Sequence, residues 1–442
     1  MNNNIKTYIS LLIVVFTIQV NVNAQKLLTK NEALKIALEN NYGIKVANNN
    51  TEIAKNNSSI YNSGFLPVLF TNAGANYNNS NQEIETQNGT VTSINGAETK
   101  SYNASVNLNY TIFDGLGRKY NYKQLKEVYS LSELQARETI ENMYLQLFNV
   151  YFQIARLSEN TQNLEQTLEV SKQRLQRANY QYDYGQSTRL ELLNAEVDVN
   201  NDSINLINAK QQFINAKRDL SIVMGVRQEV NYTVETEINF ITLLPYDELL
   251  LKAQENNVIL NQSDANILIS EYIIKADKSG YLPSVDLSTS YGWNKSENPS
   301  TSFLINSNST GLNAGINLSW NVFDGGNTKT RVANAKIALE NQEILKEQQV
   351  ETIETILKNT WEDYQNKLFI YAAQEQNVIT NQNNFDRTEE RYKIGQVTSV
   401  EFRLAQVNLL NTKTALNNAK YDAKLIELEL LQICGLILDV DF

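Results

Sequence analysis

The chain has 442 residues and a formal net charge of −11, which argues against a nucleic acid partner. It contains no histidine, which excludes histidine-ligated metal sites, Ser-His-Asp triads and imidazole acid–base catalysis. Its single cysteine, Cys434, cannot form an intramolecular disulfide, and its apolar neighbours predict a buried side chain rather than a nucleophile.

The first predicted element is a signal peptide over residues 1–24. Lys6 supplies the positive start, residues 8–18 form the apolar core, and Ala24 precedes the expected cleavage site. A retained membrane anchor is the weaker alternative, because the apolar run is shorter than the ~20 residues of a spanning helix. We therefore expect an exported protein that enters a membrane, if at all, through strands.

The mature sequence is predicted to be an internal duplication. Its two repeats cover residues 25–225 and 246–442, and a linker over 226–245 joins them. Each repeat has a first helix, two strands, a long helix and a return helix. The predicted bounds are 31–63, 66–113, 116–183 and 187–225 in the first repeat, and 246–279, 282–323, 326–393 and 397–435 in the second, before a short tail.

The predicted strands alternate between apolar and polar residues, as in residues 102–113, so their apolar side chains share one face. Lipid on one face and water on the other explains this pattern better than a soluble sheet, which is the alternative. The adjoining helices are too long and too polar to cover the sheet. The aromatic residues assigned to the lipid face are Tyr77, Tyr102, Tyr110, Tyr291, Trp293 and Trp320.

Four strands cannot close a barrel, and open strand edges are not tolerated in lipid. The chain must therefore oligomerise, and either eight strands from a dimer or twelve from a trimer would close. Asn88-Gly89 and Asn95-Gly96 are turn signals in the first strand pair. The second pair is shorter, and we expect the difference to lie in a surface loop.

Residues 118–184 contain no proline or glycine, so the long helix would measure roughly 100 Å at 1.5 Å per residue. Leu147, Ile154 and Leu168 belong to a heptad pattern that predicts coiled-coil packing. A return helix and the first helix of the following repeat together match the long helix in length. We therefore predict end-to-end stacking of 187–225 on 246–279 and of 397–435 on 31–63.

Enzyme motifs fail on inspection. Gly115-Leu116-Gly117 lacks the third glycine of a dinucleotide site, and residues 325–329 lack the Walker A spacing. Carboxylate pairs such as Glu389-Glu390 lie on polar helix faces. We therefore predict no enzymatic activity, no cofactor and no metal site.

Three duplicated motifs carry a family resemblance. They are the Gly-x-Leu-Pro strand starts, the Phe-Asp-Gly corners between strand and long helix, and the helical tips around Gly185 and Gly395. With these motifs in the same order twice, the chain resembles the TolC family of outer membrane factors over essentially its whole mature length. The corner residues are Phe113, Asp114, Gly115, Phe323, Asp324 and Gly325.

The resemblance implies an α+β membrane protein of the bacterial outer membrane. Three copies would form a β-barrel with four strands per chain, continuous with a long α-helical coiled-coil barrel that extends into the periplasm. This homotrimer would be the passive exit duct of a tripartite efflux or type I secretion system. A periplasmic adaptor would couple it to an inner-membrane transporter of the RND or ABC type.

The resemblance places function at the helical tips, where Gly185, Gln186, Gly395 and Gln396 are the candidate adaptor contacts. The alternative is that the glycines only permit a positive φ. A ring of carboxylates from Glu191 and Glu401 would favour cations in a narrow pore. The alternative for both residues is that they are ordinary solvent-exposed residues of their helices. The candidate pore constriction comprises Glu191, Glu401, Tyr182, Tyr392, Thr188 and Thr398.

The chain departs from the family at two positions near the tips. Val397 replaces an arginine that latches the closed state in some relatives, and Leu404 replaces a second acid. The sequence does not rank drug efflux, metal-ion efflux and protein secretion. A non-transporting, envelope-spanning coiled-coil scaffold is the alternative function.

Overall fold

A computed structural model describes residues 26–227, 230–300 and 302–440. The predicted signal peptide, residues 1–24, lies outside these described residues. The chain divides into two compact units. The helical unit comprises Met1–Lys45, Ile140–Leu251 and Ile356–Phe442, and the sheet unit comprises Val46–Thr139 and Lys252–Thr355. Within the described ranges, every helix is too short or too polar to cross a membrane.

The first half of the chain contains, in order, β1 (Lys26–Leu28), α1 (Lys30–Asn40), α2 (Tyr42–Asn57), β2 (Val68–Glu85), β3 (Val91–Asp114), α3 (Gly117–Asp183) and α4 (Arg189–Val223). The second half contains β4 (Tyr232–Val234), α5 (Tyr246–Asn256), α6 (Val258–Asp277), β5 (Ser284–Glu297), β6 (Asn306–Ser319), α7 (Asn327–Lys393) and α8 (Ser399–Ile433). Short 3₁₀ turns follow α2, α6 and α8.

The sheet unit contains a four-stranded antiparallel sheet in the order β2-β3-β5-β6. Leu108 lies opposite both Leu69 and Thr289, and Tyr291 lies opposite both Val106 and Leu312. Directly opposed side chains point to the same face of a sheet. The register therefore collects the apolar residues of all four strands on one face and the Asn and Ser residues on the other.

The strand register places five of the six predicted lipid-facing aromatic residues on this apolar face: Tyr77, Tyr102, Tyr110, Tyr291 and Trp293. Trp320 differs, because β6 ends at Ser319. The indole nitrogen of Trp320 donates to the carbonyl oxygen of Tyr281 at 3.2 Å, just before β5 begins.

The first hairpin has longer strands and a shorter connection than the second. β2 and β3 have 18 and 24 residues, whereas β5 and β6 have 14 each. The turn over residues 86–90 is shorter than the connection over residues 298–305, so the expectation of a shorter loop in the second pair is wrong. Asn95-Gly96 lies within β3, where Gly96 donates to the side chain of Asn81 at 2.9 Å.

Each predicted first helix is interrupted once, at Asn41 and at Asn257. The side-chain oxygen of Asn41 accepts from the Ile44 N–H at 3.1 Å, and that of Asn257 accepts from the Ile259 N–H at 2.9 Å. An asparagine that caps the next helix satisfies N–H groups that would otherwise have no partner. The chain therefore breaks at matching positions in both halves.

The predicted stacking of the return helices is wrong. The Asn41 amide donates to the carbonyl oxygen of Val223 at 2.8 Å, so α4 ends against the α1–α2 break of its own half. The Cys434 thiol, just after α8, donates to the carbonyl oxygen of Leu249 in α5 at 3.5 Å. Each return helix therefore ends beside the first helix of its own repeat.

The core of the helical unit centres on the aromatic and aliphatic residues 147–155 of α3. The Tyr151 hydroxyl donates to the carbonyl oxygen of Leu28 at 2.7 Å and accepts from the Glu235 N–H at 3.0 Å. This side chain thus fixes the parallel pair of β1 and β4. Cys434 is fully buried, as predicted, and burial raises the pKa of its thiol to about 12.

The described part of the predicted linker is held against α8. The Lys424 ammonium donates to the carbonyl oxygen of Asn239 at 2.8 Å, and the buried Glu427 carboxylate accepts from the Ile241 N–H at 3.1 Å. The Tyr364 hydroxyl donates to the same carboxylate at 3.2 Å. Burial and the Glu427 charge raise the pKa of Tyr364. This segment therefore forms a fixed strap across the helices.

Candidate functional site at the helical tips

The two helical tips have the same backbone geometry. Gly185 has φ +70° and Gly395 has φ +75°. At the first tip, the Gly185 N–H donates to Tyr182 O at 2.9 Å and the Gln186 N–H donates to Gln181 O at 2.7 Å. At the second tip, the N–H groups of Gly395 and Gln396 make the same two bonds. Such a pair of bonds is a Schellman motif, so α3 and α7 end in the same way. The glycines satisfy the last helical carbonyls and turn the chain toward the return helix.

The tip glycines are needed for their φ angles and not for space. A Cβ built on Gly185 or Gly395 would meet no atom of the described residues within 4 Å. The positive φ is nevertheless unfavourable for residues with a side chain. The tips therefore present open surface on a turn that glycine adopts without strain and that other residues would strain.

The acidic residues predicted for the pore begin the return helices. The Glu401 N–H donates to the Thr398 hydroxyl at 3.2 Å, and the Glu401 carboxylate accepts from the Thr398 N–H at 2.7 Å, which completes a capping box. The Glu191 N–H bonds the Thr188 hydroxyl at 3.4 Å, and its carboxylate accepts from Ser187.

Both carboxylates are solvent-exposed, so this capping role is compatible with the predicted second role in a pore. The hydrogen bond from the Thr398 N–H, followed by that from its hydroxyl, lowers the pKa of Glu401. Glu401 is thus anionic at neutral pH. The geometry fixes each carboxylate within the first turn of a helix, where negative charge is favourable.

The two tyrosines predicted for the constriction differ in their surroundings. Tyr392 stacks on Phe402 with ring centroids 4.8 Å apart and an interplanar angle of 11°. Phe385 also stacks on Phe402, with ring centroids 5.5 Å apart. The Arg177 guanidinium lies 5.0 Å from the Tyr392 ring centroid. Tyr182 lies outside this cluster and is 40% exposed. Tyr392 therefore joins α7 to α8, whereas Tyr182 faces solvent.

A polar network that sequence reasoning missed joins α3, α4 and α8 near the tips. The Arg403 guanidinium donates two bonds of 2.7 Å to the two carboxylate oxygens of Asp202. Asp202 is 2% exposed and also accepts from the Ser171 hydroxyl at 2.5 Å. The Gln406 amide donates to Ser171 Oγ at 3.0 Å.

Arg174 extends this network toward the start of α8. It forms an ion pair with Asp198 and donates to the carbonyl oxygen of Ser399 at 3.4 Å. Its Nε is buried and has no hydrogen-bond partner among the residues that the structure describes. A cavity of about 260 Å³ lies beside it and brings Glu191 and Thr398 to the same wall. One predicted pore residue of each tip, Glu191 and Thr398, therefore lines the same cavity.

The corner residues act as helix caps in the sheet unit. The Asp114 carboxylate accepts from the Arg118 N–H at 2.7 Å. The Asp324 carboxylate accepts from the Thr328 N–H at 2.8 Å and from its hydroxyl at 2.6 Å. These two bonds, the hydroxyl bond first, lower the pKa of Asp324. Each aspartate thus caps the start of a 67-residue helix. Asp114 is the last residue of β3, whereas Asp324 lies beyond β6, which ends at Ser319 and not at the predicted residue 323.

The glycine of the first corner is required by close packing as well as by its φ of +68°. A Cβ on Gly115 would lie 2.6 Å from the carbonyl oxygen of Ser279 and 2.9 Å from Leu282 Cβ. At Gly325 a Cβ would meet nothing within 4 Å, so only its φ of +72° restricts that position. Phe113 belongs to β3, and Phe323 is exposed.

The tips offer exposed carboxylates at the helix starts and a buried network of ion pairs and hydrogen bonds between helices. Across the described ranges, no set of three or more Cys, Asp and Glu residues is placed to hold a metal ion. The buried network joins helices, and the exposed carboxylates lie at the helix starts.

Comparisons with known proteins agree with these features. The model of a family described as "Outer membrane efflux protein" matches residues 33–226 and 249–436. The chain is 21% identical over 389 residues to the outer membrane protein TolC of Escherichia coli, covering 86% of this chain and 76% of that protein. It is 28% identical over 191 residues to the outer membrane efflux protein BepC of Brucella suis, covering 43% and 40%.

Solved channel structures share the fold. The Campylobacter jejuni CmeC outer membrane channel aligns with a TM-score of 0.77 and 19% identity, covering 92% of this chain and 85% of that chain. The outer membrane protein VceC of Vibrio cholerae aligns with a TM-score of 0.73 and 15% identity, covering 92% and 95%.

Proposed function

The chain belongs to the outer membrane efflux protein family and is an outer-membrane protein, and on this premise we propose that three copies form a passive channel. The channel is the exit duct of a tripartite efflux or type I secretion system. A periplasmic adaptor couples it to an inner-membrane transporter of the RND or ABC type. The family comprises channel proteins, so no catalytic activity is assigned.

The four-stranded sheet is the observation that carries the proposal. Its strands β2 and β6 each pair on one side only within the described residues, and its apolar face has no cover in the sheet unit. Three sheets joined edge to edge would pair every edge and turn every apolar face toward lipid. The face from Val285 to Trp293 spans about 26 Å at 3.3 Å per residue, close to the ~25 Å apolar band of such barrels.

The long helices support the second part of the proposal. α3 and α7 have 67 residues each, about 100 Å at 1.5 Å per residue. Together with the return helices, we assign them to a helical tunnel that extends into the periplasm. The two matched family stretches support reading the chain as an internal duplication, in which each repeat supplies one long helix and one return helix.

Conductance tests the proposal directly. The purified protein should have the mass of three chains and should form stable, passive conductances in planar lipid bilayers. A non-transporting scaffold would give no conductance above that of the detergent control, and this result would refute the channel. A stable dimer would refute the twelve-stranded barrel.

Two neighbouring residues of β6 provide a matched pair of variants for the lipid face. Ile316 lies on the apolar face opposite Leu287, and Asn317 lies on the polar face opposite Asp286. A lysine on the lipid face costs about 2–4 kcal/mol at the membrane centre. Ile316→Lys should therefore sharply reduce trimer insertion, whereas Asn317→Lys should insert normally. Equal insertion of the two variants would contradict the proposed orientation.

The proposed carboxylate ring at the tips needs variants that keep the helix caps. Glutamine also serves at this position of a capping box, so Glu191→Gln with Glu401→Gln removes charge and keeps the cap. The double variant should lower the preference for K⁺ over Cl⁻ in bilayers. Unchanged selectivity would show that the two glutamates act only as caps.

The proposed adaptor contact at the tips can be separated from the turn itself. Asparagine tolerates a positive φ better than other residues with side chains, so Gly395→Asn adds bulk with little backbone strain. It should weaken cross-linking to the adaptor while the trimer remains intact. Normal cross-linking together with intact trimers would restrict Gly395 to a role in the turn.

A further inference from the structure

The polar face of the sheet is almost free of charge. Its side chains over residues 68–78, 101–111, 284–296 and 307–319 are nearly all Asn, Ser, Thr and Gly, as read from the strand register. The exceptions are the apolar Val68 and Phe70 and one charged residue, Asp286. Charged residues near the hairpin ends, such as Lys295 and Glu297, lie on the opposite face of the sheet according to the strand register.

Asp286 lies near the corner end of this face. It pairs with Thr111 in β3 and with Asn317 in β6. The Thr111 hydroxyl donates to its Oδ1 at 2.7 Å, and the Ser284 hydroxyl donates to Oδ2 at 3.4 Å. These neutral donors hold the carboxylate in place without cancelling its charge.

Asp286 forms no ion pair in the part of the chain that the structure describes. Arg118 is a basic group beside the adjoining strand end, where it donates to the backbone oxygen of Thr111 at 2.7 Å. The Arg118 guanidinium is already paired with Asp114 at 3.2 Å. One net negative charge therefore remains on an otherwise neutral face.

We propose that Asp286 determines the cation preference of the barrel, as a ring of three carboxylates at the corner end of its lumen. This inference rests on the proposed trimeric channel. Amide and hydroxyl groups can turn toward either ion and favour neither sign, whereas a fixed carboxylate raises the local cation concentration. The other carboxylate of this face, Asp114 opposite Ser284, is paired with Arg118. Asp286 is therefore the one polar-face charge without an ion pair among the described residues, and removing it leaves the barrel wall neutral.

The range of this effect depends on salt. The Debye length is about 30 Å at 0.01 M, about 10 Å at 0.1 M and about 3 Å at 1 M ionic strength. A ring of charge on a wide, water-filled lumen therefore acts across the whole opening only in dilute salt. The preference should be strong in dilute KCl and should disappear in molar KCl.

The barrel ring is distinguishable from charge at the helical tips. Asp286 is bonded to Thr111, just before α3 begins, whereas Glu191 follows the far end of α3. The experiment is therefore performed in the Glu191→Gln, Glu401→Gln background, which removes the tip carboxylates. Reversal potentials across a tenfold KCl gradient then report the remaining selectivity.

In this background, Asp286→Asn should lower the K⁺/Cl⁻ permeability ratio at least about twofold in dilute salt and leave it unchanged in molar salt. Asn317→Asp, which adds a carboxylate beside Asp286, should raise the ratio. Combining Asp286→Asn with Asn317→Asp should restore the starting value. Asp286→Ser provides a second neutral variant if Asp286→Asn assembles poorly.

An unchanged permeability ratio in conducting Asp286→Asn or Asp286→Ser channels overturns the inference and leaves the channel itself intact. Loss of selectivity that Asn317→Asp does not restore also overturns it, because the charge would then not be the cause. Absence of conductance in the unmodified protein refutes the proposed channel instead. The two failures are therefore separate observations.

Discussion

Replacing Arg403 with methionine removes the guanidinium that joins three helices near the tips. The change keeps most of the side chain's apolar volume and leaves Asp202 in place. Asp202 then loses both charged bonds and keeps only the Ser171 hydroxyl as a donor. The variant thus tests whether the network holds α4 to α8.

The cost follows from burial. The Asp202 side chain is 3% exposed and that of Arg403 is 19% exposed. Removing one partner of a buried ion pair costs about 3–5 kcal/mol, because the other charge remains buried without compensation. The partial exposure of Arg403 favours the lower value, about 3 kcal/mol, which corresponds to about 150-fold in an opening equilibrium.

Hydrogen exchange measures this local opening without requiring the whole trimer to unfold reversibly. Amides around Asp202 in α4 should exchange about 150-fold faster in Arg403→Met. Arg218→Met, on the exposed side of the same helix, is the matched control and should change exchange little. Replacing both partners, with Arg403→Met and Asp202→Leu, should recover much of the protection.

An increase of less than about threefold in Arg403→Met would refute the assignment, because the pair would then contribute no more than a surface ion pair. Equal effects of Arg403→Met and Arg218→Met would refute it as well. Failure of the double variant to recover protection would show that packing at Asp202, rather than its uncompensated charge, determines the loss.

Three further predictions concern the glycines, the caps and the cysteine. Gly225→Ala should lower the melting temperature more than Gly185→Ala. Both glycines have φ near +70°, but only a Cβ on Gly225 would collide with a carbonyl oxygen, that of Asn40. Equal losses in the two variants would contradict the close packing at Gly225. The pKa of Glu401 is lowered in the fold, so its cap stabilises α8 fully above the unfolded pKa of about 4.3 and loses this contribution as pH falls through the folded value. Exchange at the start of α8, corrected for intrinsic rate, should therefore rise in acid, and Glu401→Gln should abolish that dependence; the same rise in Glu401→Gln would assign it to another group. Cys434 should resist maleimide at pH 8 until the protein unfolds, because burial raises its pKa to about 12, and rapid labelling of native trimers would contradict its burial.

The strand faces and long helices were predictable because their signals are local. Alternation from Tyr102 to Ile112 places the apolar face without knowledge of the neighbouring strands. The lack of glycine and proline between Arg118 and Tyr184 leaves nothing to interrupt a helix, and the structure has α3 over Gly117–Asp183. Gly185 then ends it by a motif that only a positive φ allows.

The break at Asn41 and the stacking partner were not predictable from the same signals. Asparagine is only a weak helix breaker, and its capping bond to Ile44 depends on the chain already turning there. The stacking prediction compared lengths, and the first helices of both repeats have nearly the same length. Only a contact such as that between Asn41 and Val223 distinguishes them.

The polar network escaped sequence reasoning because its members are far apart in the chain. Arg403 and Asp202 are separated by 201 positions. A local signal existed: Asp198 and Asp202 lie one turn apart on α4, and Ser171 and Arg174 lie one turn apart on α3. Polar residues at helical spacing on a face that otherwise packs against neighbours predict partners on another helix.

The longer first hairpin offers a way to observe the protein from outside the cell. In the proposed trimer, three turns over residues 86–90 would project beyond the shorter hairpins and be the most accessible backbone on the cell surface. Gly89 has φ +77° and no neighbour within 4 Å of a built Cβ, so this turn makes no packing contact there. A short epitope inserted after Gly89 would thus be readable by antibody on intact cells, turning assembly in the outer membrane into a flow-cytometry signal.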